Sequence, residues 1–133
     1  MNRYLLDTNA VSHLIKANPA LAKRVTATPM ADLCISAITE GELLFGLAKR
    51  PAARQLHAAV TEFLKRVDVL PWDSSAAEHY GKLRASMEAR GKPLASLDML
   101  IGAHAISRGA VLVTNDRAFQ QIEDLIVEDW TKA

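Results

Sequence analysis

Short apolar runs alternate along this chain with longer segments of helical periodicity, and this alternation constrains the fold more than any other feature. The runs are rich in Leu, Val and Ile, as strands are. They cover residues 3–6, 33–35, 67–70 and 111–113, with a weaker fifth run at 126–127. Strands that alternate with helices predict an α/β domain with a mostly parallel sheet. We therefore expect a central sheet of four to five strands flanked by helices on both faces.

The helices are predicted from apolar periodicity and from residues typical of helix ends. Ser75 and Glu78 have the spacing of a capping box, and Gly91 and Gly109 are suited to the position that follows a helix. The helical segments cover residues 9–15, 20–25, 40–49, 52–66, 75–90 and 97–108. In such folds ligands bind beyond the carboxyl ends of the strands, so candidate site residues are sought there.

Composition limits the size and class of the protein. The chain has 133 residues, of which 50% are apolar and 23% charged, which predicts one globular domain over residues 1–133 and argues against disorder. No apolar run approaches the roughly 18 residues that span a bilayer. With Cys34 as the single cysteine, an intramolecular disulfide is impossible. We expect a soluble, cytoplasmic protein that does not contact membranes.

The net charge is +1, with 16 Lys and Arg against 15 Asp and Glu. A chain this close to neutrality does not coat nucleic acid through bulk charge. Any contact with nucleic acid must therefore come from a local basic patch.

Several kinds of site are absent from the sequence. The four histidines are never three or four residues apart, so no zinc motif is present. Residues 41–46 have the glycine spacing of a phosphate-binding loop, but Leu47 and Ala48 replace its Lys and Ser/Thr. Cys34 lies inside an apolar run and is expected to be a core residue.

Four acids stand out because each lies where a predicted strand ends or a predicted helix begins. They are Asp7, Glu42, Asp98 and Asp116. Acids at helix starts also have a structural explanation, since they cap free amides and meet the positive end of the helix dipole. Thr39 and Glu42 in particular have capping-box spacing.

Together, the four acids would place several carboxylates at one end of one sheet. Like charges about 4 Å apart repel by about 4 kcal/mol at an effective dielectric of about 20, so such a group requires a counter-charge. Ligation by oxygen alone favours magnesium or manganese over zinc or copper. A site of this kind activates water and polarises a phosphoryl oxygen.

At these residues the chain resembles the PIN-domain ribonucleases, and especially the VapC-type toxins of bacterial type II toxin–antitoxin pairs. The resemblance spans nearly the whole chain. It rests on the segments YLLDTN at 4–9, CISAITEGELLFG at 34–46, GKPLASLD at 91–98 with IGAH at 101–104, and VTND at 113–116 leading to EDW at 128–130.

The resemblance implies a metal site formed by the four acids, with Mg²⁺ or Mn²⁺ as one or two ions. The fourth position varies in similar toxins, so Asn115 is an alternative to Asp116. The side chains expected to orient the carboxylates by hydrogen bonding are Thr8, Asn9, Thr114 and Asn115. His104 is expected to be a packed or supporting residue rather than a ligand, and Glu40 is expected to face away from Glu42.

The implied activity is metal-dependent endonucleolytic hydrolysis of structured RNA, with transfer RNA favoured and translation inhibited, leaving a 5′-phosphate and a 3′-hydroxyl. The implied partners are a VapB-type antitoxin, operator DNA through that antitoxin only, and a second copy of the chain in a homodimer. The candidate phosphate contacts are Lys49, Arg50, Arg54, Arg90 and Lys92, although basic side chains at helix ends are commonly only solvated.

Three alternatives remain at this point. A receiver domain would need adjacent acids after the first strand, where Leu6 precedes a lone Asp7. A phosphatase of the haloacid-dehalogenase type would need a second Asp where Asn9 stands. A non-catalytic binding partner with the same fold is compatible with the sequence.

Overall fold

A computed structural model describes residues 3–92 and 94–132 of the chain. Its five strands form one sheet, and all the pairings are parallel. The strands are β1 (Tyr4–Leu6), β2 (Leu33–Ser36), β3 (Asp68–Leu70), β4 (Val111–Val113) and β5 (Val127–Glu128). Their order across the sheet is β3-β2-β1-β4-β5, so the first strand is central.

Six helices connect the strands. They are α1 (Thr8–Ile15), α2 (Pro19–Ala27), α3 (Ala37–Ala48), α4 (Arg54–Arg66), α5 (Ser74–Ala89) and α6 (Ser96–Ser107). Two short 3₁₀ turns lie at Met30–Asp32 and Arg117–Gln121. Among the described residues no helix is long and apolar enough to cross a membrane.

The sheet is covered on both faces because successive strand residues point to opposite sides. Leu5 and Leu112 belong to the core that includes residues of α5 and α6. Leu6 and Val113 belong to the second core, which includes residues of α1 to α4 and the buried Trp130. The predicted α/β fold, with a parallel sheet between two helical layers, is confirmed.

The six predicted helix starts differ from the observed ones by one to three residues, and for α3 and α5 the reason is a capping residue further upstream. The Ser36 hydroxyl accepts the Ile38 amide, so α3 begins at Ala37 instead of residue 40. The Asp73 carboxylate accepts the Ala76 amide, so α5 begins at Ser74 and the Ser75 capping box is not used.

Both glycines predicted to close helices do so. Gly91 and Gly109 follow α5 and α6 with φ of 65° and 60°, a left-handed conformation that glycine adopts without steric cost. Cys34 is fully buried, and burial raises the pKa of its thiol to about 11. The interpretation of Cys34 as a core residue is confirmed.

Candidate functional site

Asp7 follows the central strand directly and is the most buried of the four candidate acids. Its side chain is 3% exposed, and it caps α1 by accepting the Ala10 amide at 2.8 Å. The pKa of Asp7 is raised to about 6, mainly by burial and in smaller part by the charges of Asp98 and Asp116. Hydrogen bonds from the Thr114 side chain and the Ala10 amide oppose part of this rise. Asp7 is therefore a carboxylate held beside other carboxylates.

Asp98 lies in the first turn of α6 and is half-buried. Burial raises its pKa, and the neighbouring charges of Asp116 and then Glu42 raise it further. The charges of both Asp116 and Glu42 therefore act on Asp98. A raised pKa in a group of like charges is typical of functional sites.

Glu42 is held by Thr8, the first residue of α1. The Thr8 hydroxyl donates to Glu42 Oε1 at 2.7 Å and lies 3.3 Å from the hydroxyl of the buried Thr39. Since α3 begins at Ala37, Thr39 and Glu42 lie inside the helix. The capping-box explanation of Glu42 is therefore wrong, because Ser36 is the cap.

Asp116 follows β4 and caps the 3₁₀ turn at Arg117–Gln121. Its carboxylate accepts the Ala118 amide at 2.9 Å, and its own amide donates to Thr114 Oγ1 at 3.0 Å. Thr114 is 2% exposed and lies between Asp7 and Asp116. One buried hydroxyl thus supports two of the candidate acids.

The four acids fit a hard divalent cation by their chemistry and charge. All their donors are oxygens, and the pKa values of Asp7 and Asp98 are raised first by burial and then by the charges of neighbouring carboxylates, which a bound cation would offset. Across residues 3–92 and 94–132, however, no three acid, His or Cys side chains are already arranged as a metal-binding group. Neighbouring carboxylates repel, so closure around a cation would require side-chain rotation.

The remaining predicted residues divide into those near the acids and those elsewhere. Lys49 and Arg50 line a groove of about 260 Å³ that also includes Thr8 and Glu42. Arg90 pairs with Glu123 at 2.9 Å and lines a different cavity with Leu83. Arg54 begins α4, and Asn9 and Lys92 are exposed.

Two long-range hydrogen bonds were not predicted from the sequence. Asn115 Nδ2 lies 3.1 Å from His13 Nε2, and His104 Nδ1 lies 2.7 Å from Ser36 Oγ. His104 is completely buried, as expected of a packed residue. Sequence spacing gives no sign of either contact, whereas Thr39 could have been found, because it lies three residues before Glu42 and so on the same helix face.

Comparison with known proteins places this arrangement in a family. The model of the PIN domain family matches residues 4–125. The tRNA(fMet)-specific endonuclease VapC of Shigella flexneri is 36% identical over 132 residues, which cover 98% of this chain and 100% of that protein.

Two solved toxin–antitoxin structures contain chains similar in fold. In the DNA-bound VapBC of Salmonella typhimurium, the match has a TM-score of 0.91 at 39% identity and covers 98% of this chain and 99% of that one. In VapBC2 of Rickettsia felis, bound to a DNA fragment from the promoter, the TM-score is 0.87 at 31% identity, with 96% and 98% covered.

These matches confirm the resemblance to the VapC-type PIN-domain ribonucleases and argue against the receiver and phosphatase alternatives. PIN-domain nucleases of the VapC type are in general metal-dependent. The chain therefore belongs to the PIN-domain family and, within it, to the VapC-type ribonucleases of toxin–antitoxin pairs.

Proposed function

We propose that the chain is a Mg²⁺- or Mn²⁺-dependent endoribonuclease whose metal is held by Asp7, Glu42, Asp98 and Asp116. The observation that supports this assignment best is the electrostatic coupling of Asp98 to both Asp116 and Glu42, together with that of Asp7 to Asp98 and Asp116. One divalent ion would offset two of the four negative charges, and two ions would offset all four. When bound, such an ion lowers the pKa of water and polarises a phosphoryl oxygen.

The side chains around the acids would fix them for this chemistry. The Thr8 hydroxyl restrains one oxygen of Glu42, while Thr114 supports Asp7 and Asp116. Supporting hydrogen bonds of this kind orient metal ligands and raise metal affinity. Asn115 would complete the site if Asp116 kept its capping role. The Asn115 side chain is exposed beside Asp116 and is hydrogen-bonded to His13.

The substrate class proposed is structured RNA, with transfer RNA favoured. The Shigella flexneri relative is named as specific for tRNA(fMet), and its alignment covers 98% of this chain. Lys49 and Arg50, in the groove beside Glu42, are the proposed phosphate contacts. Arg54 and Lys92 are weaker candidates, and Arg90 is already paired with Glu123.

The partners proposed are a VapB-type antitoxin, operator DNA reached through it, and a second copy of the chain. Both similar complexes described above pair a VapC chain with VapB on DNA. We further propose that residues 1–133 form one PIN domain, since both core clusters pack on the same sheet. Its cytoplasmic location stays a prediction.

The experiment that tests this function is brief induction of the chain in bacteria without an antitoxin, followed by sequencing of RNA 5′ ends. New 5′-phosphate ends at defined positions, absent with Asp98→Asn, would support the proposal and identify the RNA. If verified expression produces no new ends and no growth arrest, the non-catalytic alternative replaces it.

A further inference from the structure

A polar pocket lies directly beside Asp116, at the ends of β4 and β5. It has a volume of about 460 Å³ and shares no lining residue with the groove that contains Lys49 and Arg50. Its polar lining includes Asn115, Arg117, Gln120, Thr131 and Lys132, in addition to Asp116 itself. We call it the 114–132 pocket. Its volume lies within the range of about 300–1,000 Å³ that is usual for small-molecule and cofactor sites.

The two cations of the 114–132 pocket are available for a ligand. Arg117 and Lys132 are exposed, and within residues 3–92 and 94–132 neither forms an ion pair. The carboxylate of Asp129, by contrast, is already engaged by the Thr131 amide at 2.9 Å and by the Thr131 hydroxyl. Asp116 and Asp129 balance Arg117 and Lys132 in formal charge, and the two cations, which form no ion pair among the described residues, are the groups that suit an anionic group such as a phosphate.

Two carboxamides add hydrogen-bonding groups of both kinds. Asn115 Nδ2 lies 3.1 Å from His13 Nε2, which orients the amide and leaves Asn115 Oδ1 as a free acceptor. Gln120 is exposed, and its side chain makes no hydrogen bond to the described part of the chain. Carboxamides match the donor and acceptor pattern of nucleobase edges, on which unpaired RNA bases are recognised.

These features share one location with a proposed metal ligand. Asp116 belongs both to the four acids and to the lining of the 114–132 pocket, while Asn115 and Arg117 are its chain neighbours. A group bound in the pocket would thus lie next to the phosphodiester being cut. We propose that the 114–132 pocket binds one RNA nucleotide that flanks the cleaved bond, an inference that rests on the proposed function. Arg117 and Lys132 would hold the phosphate of this nucleotide, and Asn115 and Gln120 its base.

The pocket suits a nucleotide better than an apolar protein side chain. Among the described residues of its lining, Val127 is the one apolar residue, and the others carry hydroxyl, amide or charged side chains. An apolar group placed there would leave these polar groups desolvated without partners, which is unfavourable. A nucleotide offers a phosphate and a polar base edge to the same groups.

The first test uses the full wild-type chain in EDTA, with the side-chain amides labelled for nuclear magnetic resonance. Each of the four ribonucleoside 5′-monophosphates is titrated separately. We expect saturable shifts of the Asn115 and Gln120 amide signals, strongest for one base and lost in Arg117→Ala. If none of the four nucleotides moves these signals, the pocket does not bind nucleotides and the proposal is overturned.

The second test measures cleavage of an RNA oligonucleotide library with randomised sequence. Arg117→Ala is expected to lower kcat/KM by about tenfold, the loss of one charge-assisted phosphate contact, and Arg117→Lys should recover part of it. Gln120→Ala is expected to relax base preference at one position next to the cut. Lys65→Ala, which removes an exposed cation of α4, is the matched control and should change neither quantity.

The outcomes separate the pocket from the metal site. If wild type cuts the library and Arg117→Ala and Gln120→Ala match it in rate and preference, the pocket assignment is wrong and the nuclease function stands. If nucleotides shift the amides but wild type cuts no RNA with Mg²⁺ or Mn²⁺, the pocket is supported and the proposed nuclease function fails.

Discussion

The hydroxyl of Thr8 donates a hydrogen bond of 2.7 Å to Glu42 Oε1, across 34 residues of chain. Thr8 directly follows Asp7 and begins α1, whereas Glu42 lies inside α3. The bond therefore connects Glu42 to the residue that directly follows Asp7 in the chain. It also explains why the position after Asp7 carries a hydroxyl.

Replacing Thr8 with Val keeps the shape of the side chain and removes this hydroxyl. Glu42 would lose its restraint, so we expect Mg²⁺ affinity to fall by about 10- to 100-fold, as is common when a residue supporting a metal ligand is lost. Calorimetric titration of Mg²⁺ measures the change. Thr8→Ser, which restores the hydroxyl, should bind close to wild type. Equal affinity in Thr8→Val and wild type would remove Thr8 from the site.

The raised pKa of Asp7 predicts an unusual pH dependence of the free energy of unfolding in the metal-free protein. The folded pKa of Asp7 is raised from 3.8 to about 6, so the folded state binds this proton more tightly than the unfolded state. The contribution of Asp7 to the free energy of unfolding is therefore fully present below pH 3.8, and it is lost as the pH rises through about 6. The loss corresponds to about 3 kcal/mol of unfolding free energy.

The variant that isolates this effect is Asp7→Asn, because Asn stays neutral and still caps a helix. Without metal it should be more stable than wild type above pH 6, by up to about 3 kcal/mol, with the advantage vanishing near pH 4. Urea unfolding in EDTA at several pH values measures the difference. A difference that does not vary with pH would contradict the assignment of the raised pKa to Asp7.

The contact between Ser36 and His104 joins the start of α3 to α6, the two helices that carry Glu42 and Asp98. Ser36→Ala removes both the helix cap and the partner of a buried imidazole nitrogen. We expect a loss of about 2 kcal/mol or more in unfolding free energy, measured by urea titration.

A double-mutant cycle separates the two contributions. His104→Leu in the Ser36→Ala background removes the unpaired imidazole, so the double variant should lose less stability than the sum of the single variants. Strict additivity would mean that the 2.7 Å contact contributes nothing to stability.

The sequence predicted the α/β fold because the apolar strands and amphipathic helices follow different periods that can be recognised locally. It also predicted the four acids as candidate ligands, because each lies where a predicted strand ends or a predicted helix begins, near the edge at which parallel sheets form sites. The start of α3 was misplaced because Ser36 is both the last residue of β2 and the helix cap. The Asn115–His13 contact spans 102 residues and depends on tertiary packing that no local pattern records.

The central claim is that Asp7, Glu42, Asp98 and Asp116 hold the metal that cleaves RNA. The measurement that tests it most directly is the initial rate of cleavage of purified transfer RNA as a function of Mg²⁺ or Mn²⁺, for wild type and for folded Asp98→Asn. We predict cleavage by wild type that requires the metal, stops in EDTA and is abolished in Asp98→Asn. Cleavage by Asp98→Asn at the wild-type rate, or wild-type cleavage that persists in EDTA, would contradict the account.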